Sequence, residues 1–590
     1  MLNKLPMRAG IFKDEPPLAV ETFYQDGNNV RSYRGKVEKI GGWVKYLQTP
    51  LRGKARAITG WTSNTGGTYM AVGTHSKLYG ITDGAAYDIT PFRDTGTLGT
   101  DPFSVASGSP IVTVTDASHG LTIGDTVHYS GATEGGGITI NGEYTVINVV
   151  DASTYQIIHG SNATSTDTTT GGNAVAYSYE LAVGQEYGAL FFGWGVGAWG
   201  AGTWGTPRTS NVLYAPRTWS LAQWGENLLG SPRGGTLYEW DLSLNGHALP
   251  VTNAPAKINS MFVSPERIVV ALGTNEFIGN NYNPMLVRWS DQEDNTEWTP
   301  SALNTSGEFK LGVGSLIVAG TPSRLQNLIW TDTALYSMQY LRDTEFIFGF
   351  DLLGSNCGLA GPGAFAEKDG IAYWMTPNGQ FYIYDGQAPR ALDCPCQRYV
   401  FDNIIRRQFD IVHCGINSKY SEVWWWYCSG SSGNEVDRFI MYNYADNAWY
   451  IGDIDRTAWL DKNYFDGPIG IGPDGYVYMH EIGNSADGAG MNDFIETAPF
   501  DMDDGDTVVN LSRIVPDMEL QGEVEFTIRT RRFPNKPMEM EKVKNYTDLM
   551  HRIDLRAQGR QMSFKIASGT LDTFWRMGDL RVDVTPVGPR

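Results

Sequence analysis

Cysteine is scarce in this chain: five in 590 residues, at positions 357, 394, 396, 414 and 428. An odd and sparse set excludes a disulfide-stapled scaffold and predicts synthesis in a reducing cytoplasm. Long apolar runs are missing too. No stretch approaches the roughly 18 apolar residues of a membrane span. The N-terminal MLNKLPMRAGIFKDEPP lacks the apolar core of a secretory signal. Basic residues are in deficit, 45 Lys+Arg against 65 Asp+Glu, for a formal net charge of −20. That argues against sequence-tolerant DNA binding, which needs a basic surface to displace counterions. It leaves open a conduit whose acidic wall repels phosphate, and also the plainer role of keeping a large protein soluble.

Catalytic signatures are equally thin. GxxxxGK[ST], HExxH and GxSxG do not occur. Gly195, Gly197 and Gly200 fit GxGxxG, as do Gly200, Gly202 and Gly205, but neither set opens a helix after a strand. Cys394, Cys396, His413 and Cys414 lack a standard zinc spacing and read as small residues at a turn. Asp501, Asp503, Asp504 and Asp506 resemble a calcium loop. Gly505 stands one place early, however, and no Glu closes twelve residues, so a solvated acidic turn is expected. SDQEDNTEW (290–298) resembles the Asp-box turn of sialidases, S-x-D-x-G-x-T-W, with Ser290 and Trp298 at its ends. It has one extra residue, no central Gly and a single occurrence. The chain is read as a non-enzyme, with no catalytic residue, no metal ligand and no cofactor.

What the chain does have is aromatics and glycine: 12% aromatic residues, 18 Trp, 30 Tyr and 69 Gly. Such a composition favours short strands joined by tight turns, and the length predicts roughly three or four domains. Residues 1–100 read as N-terminal strands and the start of a propeller, with TYMAVGT, KLYGI and AYDIT as strands and Asp83-Gly84 as a turn. Residues 101–180 contain no Trp, and IVTVT, EYTVINVV and YQIIHG alternate cleanly. They read as an inserted small β-domain. Residues 181–211 form a Gly/Trp-rich loop. A five-residue unit, Gly195–Trp199, repeats as Gly200–Trp204, and Trp194 precedes it. So many glycines exclude a stable helix. Trp194, Gly195, Gly197, Trp199, Gly200, Gly202 and Trp204 are the candidate gate or contact loop. The segment either tucks its indoles against its own domain or presents them to a partner subunit or a membrane.

From 212 to 500 a loose unit recurs: an apolar strand, a turn and an aromatic strand. Its second strands centre near 238, 277, 336, 382, 441 and 478. The spacings are 39, 59, 46, 59 and 37; repeats of about 40–50 residues with several strands each mark a β-propeller, here of six to eight blades, the last closed by an N-terminal strand. One helix is predicted, over 396–410, with Val400, Phe401, Ile404, Ile405 and Phe409 on one face. Residues 501–590 alternate over longer strands and read as a β-sandwich.

Several stretches together carry a family resemblance: NNVRSYRGKVEKIGGW (28–43), the Gly-Trp pentads, VRWSDQEDNTEW (287–298), LAGPGAFAEKDGIAYWMTPNGQFYIYDG (359–386) and GRQMSFKIAS…FWRMGDLRVDVTPVGPR (559–590). In this order they resemble the tail nozzle, or tail-stabilisation, proteins of short-tailed bacteriophages. The resemblance implies a virion tail component assembled in the host cytoplasm as a homo-hexameric ring below the portal and its adaptor. Such a ring extends the DNA channel, retains packaged DNA without sequence-specific binding, carries tail fibres or spikes, and makes transient contact with the host envelope. The competing expectation is a receptor-binding or glycan-active tail protein, of depolymerase or sialidase type.

Overall fold

The computed structural model describes residues 2–5, 7–191, 212–324, 326–341, 346–501, 507–533 and 536–588. The chain divides into two compact units, residues 1–51 with 311–590, and residues 52–310. Seven four-stranded antiparallel sheets recur among the described residues, four in the first unit and three in the second. They are the blades of an all-β fold of β-propeller type.

In the first unit three blades run in simple chain order. Their leading strands are Ile317–Thr321, Phe365–Lys368 and His413–Asn417. The fourth joins Ala458–Leu460, Ile469–Ile471 and Val477–His480 to Trp43–Lys45, so an N-terminal strand completes a blade built from residues more than 400 positions later. The same N-terminal segment supplies a sandwich. Val30–Tyr33 and Lys36–Lys39 extend the sheet of Phe574–Gly588, Val508–Gln521 and Ile553–Gly559, to which Leu2–Leu5 also adds. Tyr24–Asn28 pairs with Asp493–Thr497 in the facing sheet, which continues through Gln561–Ser568, Glu523–Arg531 and Met540–Thr547. The sandwich therefore starts before 501. It also takes in residues 24–39, where the local pattern reads only as the approach to a propeller.

In the second unit the blades begin at Ala55–Thr62, Trp219–Trp224 and Ile258–Val263. The turn at Asp83 (φ 50°) and Gly84 (φ 73°) joins Leu78–Thr82 to Ala85–Asp88. Both residues are left-handed, as a two-residue hairpin turn requires. Between the first and second of these blades an eight-stranded sheet runs from Phe92–Thr97 to Ala176–Glu180 around its own core of Val112, Val127, Tyr155 and Ile157. Expected second strands near 238, 336, 382, 441 and 478 fall on strands, but the one near 277 does not. Gly279 (φ 84°) and Asn280 (φ 53°) turn the chain there, Ile278 is exposed, and the strand starts at Tyr282.

Glycine and tryptophan together set the packing of neighbouring blades. Gly73 lies under the indole of Trp219, the first residue of the next blade, and Trp219 Nε1 donates to Thr74 O at 2.8 Å. Gly415 lies under Trp459 in the same way, and Trp459 Nε1 donates to Ile416 O at 2.8 Å. A Cβ at either glycine would collide with the ring, so the bare backbone is what lets the sheets approach. The predicted helix is broken. Gln397–Phe401 is α-helical and Arg406–Ile411 is a 3-10 turn, with Ile405 extended between them. The break arises because Ile405 N donates to Cys428 O at 3.0 Å, which diverts the backbone from helical bonding.

Candidate functional site

The Gly/Trp residues singled out by sequence, Trp194, Gly195, Gly197, Trp199, Gly200, Gly202 and Trp204, lie outside the described residues. The strands on either side, Ala189–Phe191 and Val212–Tyr214, pair antiparallel, with Phe191 opposite Val212. Asp503, Asp504 and Asp506 also lie outside; Asp501 accepts from Gln561 Nε2 at 2.9 Å.

The cysteine–histidine set does not form one group. Cys396 Sγ donates to Ile11 O at 3.2 Å, and His413 Nε2 accepts from Trp459 N at 2.9 Å. All five cysteines are free and buried. Burial pushes the Cys396 thiol up to about 12, and Cys394 and Cys414 well above the usual range, which disfavours the thiolates a metal needs.

The Asp-box-like turn is a self-contained corner. Asp291 Oδ1 accepts from Gln292 N at 2.9 Å, Thr305 N at 2.7 Å and Thr305 Oγ1 at 2.6 Å. Trp298 is fully buried and donates to Asn295 O at 2.7 Å. These bonds hold the Asp291 carboxyl below the usual range against the opposing effect of its partial burial. The turn thus uses its acid to close a loop.

The ionisable residues that matter most to the structure carry no sequence motif. In the first unit Arg31 is completely buried on Val30–Tyr33. Its guanidinium forks onto Glu481, with Nη1 donating to Oε2 at 2.9 Å and Nη2 to Oε1 at 2.5 Å. Its Nε lies 3.0 Å from Glu422 Oε1, and its plane stands 3.8 Å from the Tyr420 ring centre. Asn417 Nδ2 donates to Glu481 Oε1 at 3.0 Å, and Trp424 Nε1 donates to Glu422 Oε2 at 3.1 Å. Burial pushes Glu422 up to about 8; Arg31 opposes this and neighbouring Glu481 adds to it. One cation between two carboxylates thus leaves one of them largely protonated at neutral pH. The cluster ties a sandwich strand to two blades. Beside it, burial and Arg456 hold His480 well below its ordinary range, and its Nε2 accepts from Arg456 Nε at 2.9 Å. A second tie joins Lys39 to Asp493 at 3.1 Å, both buried, with Trp575 Nε1 donating to Asp493 at 2.6 Å.

In the second unit the matching cluster anchors the inserted domain. Lys77 and Asp88 flank one blade hairpin, while His128, Glu143 and Glu180 stand on adjacent strands of the inserted sheet. Lys77 Nζ bonds Asp88, Glu143 at 2.7 Å and Glu180 at 3.1 Å. Burial disfavours its charge, but Asp88 and Glu180 outweigh that and hold its pKa above the ordinary lysine value. Arg52 extends the tie, with Nη2 donating to Gly124 O at 2.9 Å and Nη1 to Thr126 Oγ1 at 3.1 Å. The ligand atoms of His128, Glu143 and Glu180 lie within 4.8 Å of one another, as a metal site would require. The Lys77 ammonium stands among them, however, and already supplies the positive charge, so the group works as an ion-paired anchor.

No family model matches the chain, and no curated protein matches it. Among solved structures, the computationally designed Ika8 protein aligns with 75% of this chain and 99% of its own at 12% identity, with a TM-score of 0.34. The endosialidase of phage phi92 aligns over 80% of this chain and 73% of its own at 10% identity, TM-score 0.23. BamB from Moraxella catarrhalis aligns over 46% and 85% at 13% identity, TM-score 0.25. All three scores lie below 0.5, and the fold assignment rests on the strand pairings themselves.

Proposed function

We propose that this chain is a structural protein of a short-tailed bacteriophage tail, the nozzle ring below the portal and adaptor, and not an enzyme. In this reading six copies extend the DNA channel, retain packaged DNA and carry fibres or spikes. The observation that favours a scaffold is the use made of the ion pairs built on buried cations. Arg31 with Glu422 and Glu481, Lys39 with Asp493, and Lys77 with Asp88, Glu143 and Glu180 each bind one structural element to another. The one sialidase-like turn spends its aspartate on its own loop. The order of the quoted sequence stretches supports the family, and the net charge of −20 suits a wall from which DNA must slide.

Cryo-electron microscopy of particles carrying this protein tests the reading. Six copies in a ring between the adaptor and the tail tip are expected. Absence from the particle, or three copies at its periphery, would overturn it in favour of a receptor-binding or glycan-active protein. Deleting residues 193–205 tests the loop separately. The expected result is loss of DNA retention or infectivity; unchanged assembly, retention and infectivity would remove the Gly-Trp segment from the mechanism.

A further inference from the structure

One ion pair of the first unit joins the two sheets of the sandwich. Lys39 ends the strand Lys36–Lys39 in one sheet, and Asp493 opens Asp493–Thr497 in the facing sheet. Neither side chain touches solvent, and Lys39 Nζ lies 3.1 Å from Asp493 Oδ2. Lys77 shares its charge among three carboxylates, whereas Lys39 meets one.

The groups around the pair hold it in a defined pose. Lys39 Nζ donates to Thr573 O at 2.9 Å. Asp493 Oδ1 accepts from Trp575 Nε1 at 2.6 Å and from Ser568 Oγ at 2.9 Å, and the same hydroxyl stands 2.8 Å from Oδ2. Trp575 is fully buried, and Ser568 lies opposite Asp493 on the neighbouring strand. Desolvation of two ions offsets much of their attraction. Burial pushes the Asp493 carboxyl up, against Lys39 and the hydrogen bonds from Trp575 and Ser568. The carboxyl is thereby biased towards its neutral acid. A lysine amine that has given up its proton is a nucleophile, and fixed contact makes its attack on a neighbouring carboxyl unimolecular.

We propose that Lys39 and Asp493 condense into an amide bond that staples the two sheets of the sandwich together. One proton moves from Nζ to Oδ2, which leaves a neutral amine against a neutral carboxyl. The Nζ lone pair then attacks Cγ. Oδ1 takes the negative charge at the place where Trp575 Nε1 and Ser568 Oγ already donate, as an oxyanion requires. A second Nζ proton passes to Oδ2, the Cγ–Oδ2 bond breaks, and Oδ2 departs as water. An ammonium and a carboxylate thus become one amide and one water, with no oxidant, reductant or further reactant. The remaining N–H stays on Thr573 O, and the new carbonyl keeps Trp575. Closing a loop of more than 450 residues in this way restricts the unfolded chain. The bond belongs to the sandwich itself and does not rest on the nozzle reading.

Mass spectrometry of the purified, denatured full-length chain, followed by tryptic mapping, tests the bond. The intact mass should fall short of the sequence mass by one water. Trypsin should leave Lys39 uncut, so that peptide 37–45 appears joined to peptide 463–513, which holds Asp493. On a denaturing, reducing gel the wild-type chain should migrate faster than Lys39→Met and Asp493→Ala, both of which should show the full sequence mass. The wild-type mass decides the matter even where a variant fails to fold. A wild-type chain of full sequence mass, with Lys39 open to trypsin, would mean an ion pair only and would overturn the bond. A water lost elsewhere, as in a succinimide at an Asp-Gly step, with peptides 37–39 and 463–513 unlinked, would overturn it equally.

Discussion

Replacing Glu422 by Gln isolates the electrostatic cost inside the Arg31 cluster. The carboxyl is raised from 4.5 to about 8, with burial the largest cause. Between those values the native state holds a proton that the unfolded chain releases. Stability is therefore fully present below pH 4.5 and is lost as pH rises toward 8. Each pH unit in that window removes about 1.4 kcal/mol, so the loss accumulated at pH 7 is about 3 kcal/mol. Glutamine keeps the shape and cannot ionise, and its single carbonyl can accept from Trp424 Nε1 or from Arg31 Nε but not from both. The variant should show a flatter stability profile than wild type between pH 4.5 and 8, gaining on it as pH rises. Hydrogen exchange of Glu422–Tyr427 at pH 5, 6, 7 and 8, corrected for intrinsic rates, reads this locally in a chain too large for two-state unfolding. Parallel profiles for variant and wild type would refute the assigned protonation. The converse substitution, Arg31→Met, leaves Glu481 and Glu422 without their cation. It should destabilise the strand by about 3–5 kcal/mol, the usual penalty for stranding a buried charge.

Other outcomes follow from the same packing. Gly73→Val and Gly415→Val push a side chain into Trp219 and Trp459; overpacking of this kind costs about 1–3 kcal/mol locally and should lower the apparent melting temperature. An unchanged melting temperature would contradict the close sheet approach. Lys77→Met leaves Asp88, Glu143 and Glu180 together without their ammonium. Limited proteolysis should then release the inserted domain faster, and wild-type digestion rates would refute the anchor. All five thiols should resist a thiol-specific reagent at pH 8 in the native protein and react after denaturation. A fast-reacting native thiol would contradict their burial.

Locally patterned elements were legible in the sequence, and elements defined by distant partners were not. The alternation in IVTVT and the Asp83-Gly84 turn depend on neighbours in the chain, so periodicity and turn chemistry reveal them. Val30–Tyr33 and Lys36–Lys39 form an ordinary hairpin whose sheet lies at Phe574–Gly588, more than 500 residues away. Nothing in their own composition distinguishes a sandwich strand from a blade strand. Residues 396–410 have a helical apolar face, yet the bond from Ile405 to Cys428 overrides it. Tertiary hydrogen bonding there wins over propensity.

The charged clusters left a fainter trace. Glu422 opens the strand EVWWWY, and all six of its residues are buried. An acid that heads so apolar a strand must meet a cation or keep its proton, and here it does some of both. Lys77 similarly stands next to the buried Leu78 at the start of a strand. A search for charges set within apolar strand patterns would have raised both residues, though not their partners. Arg31 meets Glu422 and Glu481 only because an N-terminal sandwich strand and two blades converge. Motif searches scan spacing along the chain, whereas these groups are assembled by sheet order. In a fold assembled this way, the residues that hold the elements together are the ones with no local signature.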